Sequence, residues 1–110
     1  MPKIERVNTL LKNEIANLVN REIFLKDGLI TISYARCSAD LSIAKIGVTV
    51  LPENFSGTAL ELLRKSSGRL RSIIGGHIRL RKMPKFIWRI DETEKKARII
   101  DDLIDEIEKK

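Results

Sequence analysis

The chain has 110 residues, 43% hydrophobic and 33% charged, with a formal net charge of +6. That length holds one compact domain, and the balance of apolar and charged residues is that of a folded chain rather than a disordered one. Its apolar runs are too short for a membrane span, and the excess of Lys and Arg points to an anionic partner.

The opening MPKIERVNTLLKNE carries acid early and has no apolar signal core, so a cytoplasmic protein without a targeting segment is expected. Ile4, Val7, Leu10, Leu11, Ile15, Leu18 and Val19 recur at steps of three and four and predict a first amphipathic helix. Asp27-Gly28 ends it as a turn signal. Leu29 to Cys37 alternates as a strand, with Ile30, Ile32 and Tyr34 on one side and Thr31, Ser33 and Ala35 on the other. Ser42 to Leu51 alternates likewise, with Ala44, Ile46, Val48 and Val50 opposite Lys45, Gly47 and Thr49. The linker Ser38-Ala39-Asp40-Leu41 is short, which predicts an antiparallel pair.

Pro52 stops the second strand, and Asn54, Ser56 or Thr58 is placed to cap the next helix. That helix begins near Gly57 and uses Leu60, Leu62 and Leu63. Ser66-Ser67-Gly68 then interrupts it, and Leu70, Ile73, Ile74, His77 and Ile78 resume the helical spacing. Pro84 forbids further helix, and Phe86, Trp88 and Ile90 alternate with Lys85, Ile87 and Arg89 in a third strand. From about Glu94 a tail helix is expected, with a narrow stripe of Ile99, Ile100, Leu103, Ile104 and Ile107. The order is α-β-β-α-break-α-β with a C-terminal helix. It predicts an α+β domain over 1–93, helices covering one sheet face, the other face partly open or covered by the tail, and an acidic tail over 94–110.

The basic charge is concentrated. From Leu62 to Ile90 there is no Asp or Glu, while Arg64, Lys65, Arg69, Arg71, Arg79, Arg81, Lys82, Lys85 and Arg89 all fall there. A solvated surface without a partner usually mixes its signs, so nucleic acid is the leading reading, because Lys and Arg neutralise phosphates and release counterions. A break at Ser66-Ser67-Gly68 would free amides at the start of the second helical piece and make an anion site among these cations. The alternative is that Gly68 only lets two helices cross closely. The candidate RNA-binding residues are Arg64, Lys65, Ser66, Ser67, Gly68, Arg69, Arg71, Arg79, Arg81, Lys82 and Lys85. They cannot all face one way on a helix.

Nothing points to catalysis, a metal or a cofactor. His77 is the single histidine, on the apolar spacing of the helix, and Cys37 is the single cysteine, without a CxxC partner. Trp88 shares its strand side with Phe86 and Ile90 and is expected in the core rather than as a stacking platform. Gly75-Gly76 matches no phosphate-binding fingerprint and is expected to serve tight packing or a local helix distortion.

The whole chain resembles the ribosome-binding factor A family. The resemblance lies in the opening RVNTLLKNEIANLVNREI, in SSGRLRSIIGGHIRLRKMPKFIWRIDET, and in the final acidic helix. Within the second stretch, Ser66-Ser67-Gly68, Leu80-Arg81-Lys82-Met83-Pro84-Lys85-Phe86 and Asp91-Glu92-Thr93 follow the family's order, with Ser66 where the family usually has Ala. It implies a type II KH-like fold in which an interrupted helix replaces the GXXG loop. It also implies a non-catalytic factor that binds free or immature small (30S) ribosomal subunits and 16S rRNA and assists 16S 5′-end processing. Nothing in the sequence suggests an obligate oligomer, so a monomer is expected, and the acidic tail is open to packing on the domain, to contacting small-subunit proteins or to shielding the basic face. Other readings are a KH-like RNA- or DNA-binding protein not dedicated to the ribosome, a small ribonuclease, and an adaptor for an acidic protein.

Overall fold

A computed structural model describes residues 3–93 together with Ile100, Leu103, Ile104 and Ile107. Helix α1 spans Lys3–Glu22, strands β1 and β2 span Leu29–Cys37 and Ile43–Leu51, helix α2 spans Ser56–His77, and strand β3 spans Lys85–Ile90. A short 3-10 turn, Glu53–Phe55, leads into α2. The sheet order is β1-β2-β3, with β1 antiparallel and β3 parallel to β2. Both helices lie on one face, α1 over β1 and α2 over β3. This is the α+β fold expected.

The core follows the apolar spacing of each element. Leu11, Ile15 and Leu18 of α1, Ile46 and Val48 of β2, and Leu63, Leu70 and Ile74 of α2 are almost fully buried, and Phe86 and Trp88 of β3 pack edge to face beneath them. No polar or charged residue is buried among the described residues. Asn8 fastens α1 to the sheet: its Oδ1 accepts the Cys37 backbone N–H at 2.8 Å.

Two turns show how the chain reverses. At Asp27-Gly28 it is Asp27 that takes the left-handed conformation, with φ of 59°. Gly28 is needed for close approach instead, since a Cβ there would stand 2.6 Å from Leu25 and 3.1 Å from the Leu51 carbonyl. In the β1–β2 turn, Asp40 Oδ1 accepts from the hydroxyls of Ser38 and Ser42 and from the Ser42 amide. Those donors, the Ser42 hydroxyl foremost, hold the Asp40 carboxyl at about 2, well below its usual range.

Three sequence expectations are corrected. First, α2 is not interrupted: its 22 residues run through Ser66-Ser67-Gly68 as one helix, and no glycine has a positive φ. Ala59, Leu63, Leu70 and Ile74 are all buried, and at 100° per residue they fall in one narrow arc only if the helix keeps its phase through the triplet. Each buried Leu or Ile is worth about 1.5–3 kcal/mol, against about 1 kcal/mol for a helical Gly and less for Ser, so burial decides. Second, a β-bulge between Ile32 and Tyr34 shifts the phase of β1, so that Ala35 is buried at 5% exposure and Tyr34 leaves the core side. Third, no side chain caps α2. The Ser56 hydroxyl donates back to the Glu53 carbonyl at 2.7 Å. The predicted tail helix lies mostly outside the described residues; Ile100, Leu103, Ile104 and Ile107 are helical and exposed.

Candidate nucleic-acid interface

Helix α2 has two unlike faces. The buried arc carries Ala59, Leu63, Leu70 and Ile74, and the half-buried Ser67 falls at its edge. The opposite arc carries Arg64, Lys65, Gly68, Arg69, Ser72, Gly75 and Gly76, all exposed. A Cβ added at Gly68 or Gly76 would meet nothing within 4 Å, and one at Gly75 only Met83 Cε at 3.9 Å. These glycines therefore do not serve helix crossing or tight packing, as the sequence had allowed. They leave the centre of the solvent face bare, where a phosphodiester backbone can come close to the helix between flanking cations.

The loop after α2 extends this surface. Arg79, Arg81 and Lys82 are exposed, while Ile78 and Pro84 are buried and pin the loop at both ends. Arg71 braces it from the helix: Nε donates to the Pro84 carbonyl and Nη2 to the Met83 carbonyl, each at 2.9 Å. This half-buried guanidinium holds the loop rather than offering a free charge. Sequence reasoning grouped it with the RNA contacts because spacing alone cannot show which cations are already engaged.

The other candidates divide in the same way. Arg69 is exposed and donates to the Glu22 carbonyl at 3.2 Å, capping the C-terminus of α1. Lys65 pairs with Glu61 one turn earlier at 3.0 Å, an exposed pair that releases its lysine at little cost. Ser67 is committed to the interior: Trp88 Nε1–H donates to its Oγ at 2.6 Å, and Oγ–H donates to the Leu63 carbonyl at 3.0 Å. The amides expected to be free at the triplet are inside a continuous helix. Ser66 is half-buried. Lys85 stands on β3 between residues that face the core on the helix side, so it lies on the opposite side of the sheet from α2. Arg64, Lys65, Gly68 and Arg69 are exposed on α2 and Arg79, Arg81 and Lys82 on the loop that follows it, while Ser67 and Arg71 are engaged within the fold and Lys85 lies on the other side of the sheet.

His77 keeps the apolar spacing but is the last residue of α2 and exposed there, with Nδ1 3.2 Å from Glu14 Oε2. Burial pushes the Cys37 thiol up from its usual value, which disfavours the reactive thiolate. Among the described residues no group of His, Cys, Asp and Glu is placed to hold a metal, and no helix is long and apolar enough to cross a membrane.

The sequence profile of Ribosome-binding factor A matches residues 3–104. The chain belongs to the ribosome-binding factor A family. A ribosome-binding factor A from Chromohalobacter salexigens is 37% identical over 110 aligned positions, covering 94% of this chain and 82% of that protein. Among solved structures, the crystal structure of ribosome-binding factor A from Thermus thermophilus superposes with a TM-score of 0.70 at 22% identity, covering 79% of this chain and 94% of the other. A Thermotoga maritima protein solved by NMR gives 0.57 at 28% identity, over 76% of this chain and 85% of its own. A Thermus thermophilus ribosome-binding factor A homology model, fitted into the cryo-EM map of a 30S complex, gives 0.63 at 23% identity over 76% of this chain and 90% of its own. The ribosome-binding factor A fold is therefore common to all of them, with α2 as one long helix in this chain.

Proposed function

We propose that this chain is a non-catalytic assembly factor of the small ribosomal subunit, binding free or immature 30S particles through 16S rRNA in the cytoplasm. Family membership supports the ribosomal role, and the relative fitted into a 30S map gives the particle. The observation that carries the RNA contact is the exposed face of α2, bare at Gly68, Gly75 and Gly76 and flanked by Arg64, Lys65, Arg69, Arg79, Arg81 and Lys82. Cations around a bare stretch of helix grip phosphates whatever the base sequence, so this surface supplies affinity for structured RNA. The globular body then holds rRNA elements apart until assembly is complete, and assistance to 16S 5′-end processing follows from that positioning rather than from any cleavage by this chain.

Residues 1–93 form the RNA-binding domain in this reading, and residues 94–110 an acidic tail that shields the basic face when RNA is absent. The chain acts as a monomer, with small-subunit proteins as further contacts. Co-sedimentation with small subunits, large subunits and intact ribosomes over a salt series tests the proposal. Stoichiometric binding to small subunits, weakened by Arg64→Glu/Arg79→Glu, is the expected result. Equal, steeply salt-sensitive binding to every particle and to duplex DNA would reduce the protein to a general nucleic-acid binder.

A further inference from the structure

The sheet has a second face, turned away from both helices, and it is also basic. Burial alternates along the strands, so β2 presents Lys45 and Gly47 on that face and β3 presents Lys85 and Arg89. The β1 bulge turns Tyr34 and Arg36 to the same side, because Ala35 between them takes the core position. In the sheet register Arg36 lies opposite Lys45, Gly47 beside Arg89, and Lys85 beside Ile43. With neighbouring strands about 4.8 Å apart, the four cations form one array set around the half-buried Ile87, which lies beside Lys45. The three strands contain no Asp or Glu. Asp91, just past β3, marks the border of the array; its carboxyl is held below the usual range mainly by hydrogen bonds from Thr93, with smaller contributions from Ser33 and Arg36.

Like charges directly opposite one another weaken a sheet, so Arg36 opposite Lys45 is a cost that an anionic partner removes. The row next to Lys45, which ends at Arg89, is built flat. A Cβ at Gly47 would stand 2.0 Å from Tyr34 Cε2, so the tyrosine ring lies on the bare strand where a side chain would be. Arg36 Cζ sits 4.6 Å from that ring's centroid, which stacks the guanidinium outward over it. Among the described residues Arg36, Lys45, Lys85 and Arg89 make no salt bridge within the range of a direct ion pair. A flat cationic surface topped by a stacked guanidinium fits a phosphodiester backbone, which it contacts by charge and by the guanidinium fork.

We propose that this open sheet face is a second RNA-backbone surface, carried by Arg36, Lys45, Lys85 and Arg89, so that one domain holds two rRNA segments, one on each side. The inference rests on the reading of the α2 face as an RNA surface. Occupation of both faces ties two RNA segments together through a layer only one sheet and one helix thick, which is a physical means of fixing their relative position during assembly.

A bridging assay with the full chain tests it. One short RNA hairpin is immobilised and a second, fluorescent hairpin is offered with the protein at low salt. The wild type retains the fluorescent hairpin, with one protein per two hairpins by analytical ultracentrifugation. Lys45→Glu/Arg89→Glu lowers that retention about tenfold or more while binding to a single hairpin persists through α2. The neutral pair Lys45→Gln/Arg89→Gln, with an unchanged thermal midpoint, gives a smaller loss of the same kind. In the wild type, bound RNA protects Lys45 and Lys85 from acetylation. Bridging that survives the charge reversal, or that requires two proteins per hairpin pair, overturns the second surface. Single-hairpin binding that ignores Arg64→Glu/Arg79→Glu instead overturns the α2 reading on which it rests.

Discussion

Trp88 donates its indole N–H to the Ser67 hydroxyl across 2.6 Å, joining the middle of α2 to the middle of β3. Trp88 is 3% exposed, so its N–H has no access to water without this partner. The Ser67 hydroxyl passes its own hydrogen to the Leu63 carbonyl one turn earlier, which satisfies both groups. A serine inside a helix is thereby a bonded part of the core.

Ser67→Ala should destabilise the protein by about 1–3 kcal/mol, the cost of leaving a buried donor unpaired, less a few tenths for alanine's better helix propensity. Trp88→Phe on the Ser67→Ala background should cost less than the sum of the two single changes, because the orphaned donor is gone. Urea unfolding of the four proteins measures the coupling.

Gly68→Ala and Gly76→Ala should each stabilise the fold by about 1 kcal/mol, since both sites are helical, exposed and clear of neighbours. If the bare face admits an RNA backbone, the same changes should weaken binding to small subunits. Thermal melts and co-sedimentation on the same preparations give both readings, and unchanged binding would remove the glycines from the interface.

Arg71 and Arg64 should separate cleanly. Arg71→Ala removes two bonds to loop carbonyls and should cost about 1–3 kcal/mol. Arg64→Ala, at an exposed site, should leave stability nearly unchanged and reduce the slope of log affinity against log salt by about 0.7–0.9. Denaturation and a filter-binding salt series distinguish the two.

Acid should loosen the β1–β2 turn. The Asp40 carboxyl titrates at about 2 in the folded chain, below its usual value of 3.8. The folded state therefore binds fewer protons than the unfolded one in that range. The contribution is fully present above the unfolded value and is lost as pH falls through the folded one. The urea midpoint of Asp40→Asn should lack the part of the decline between about pH 4 and pH 2 that this carboxylate supplies.

The tail supplies a fifth test. A chain ending at residue 93 keeps every buried residue among the described ones, and it should bind non-specific RNA more tightly if the acidic segment shields the basic face. Equal binding by the two forms would remove the shielding role.

Much of the fold was legible because burial leaves a period in the sequence. Ile15 and Leu18, or Val48 and Val50, are apolar at helical and strand spacing, and the structure buries them as that spacing requires. The acid-free run from Leu62 to Ile90 likewise marked the stretch on which the proposed RNA contact is placed. The continuity of α2 was also legible in principle, since Leu63, Leu70 and Ile74 keep one phase across the triplet. Local propensity argued for a break at Ser66-Ser67-Gly68, and packing on the sheet outweighed it.

Residue type and spacing were enough for α1, the three strands, their order, most core positions and the total of basic charge, because each depends on the pattern along one strand or helix. Which cations are free is settled only in the folded chain. Arg71 is engaged by carbonyls 12 and 13 residues away, and Lys85 is carried to the far side of the sheet by the pleat of β3. Tyr34 and Arg36 reach that same side through a bulge that a local pattern of alternation does not encode. Charge is additive along a sequence, but its direction in space depends on register and on which partners the fold brings within hydrogen-bonding distance.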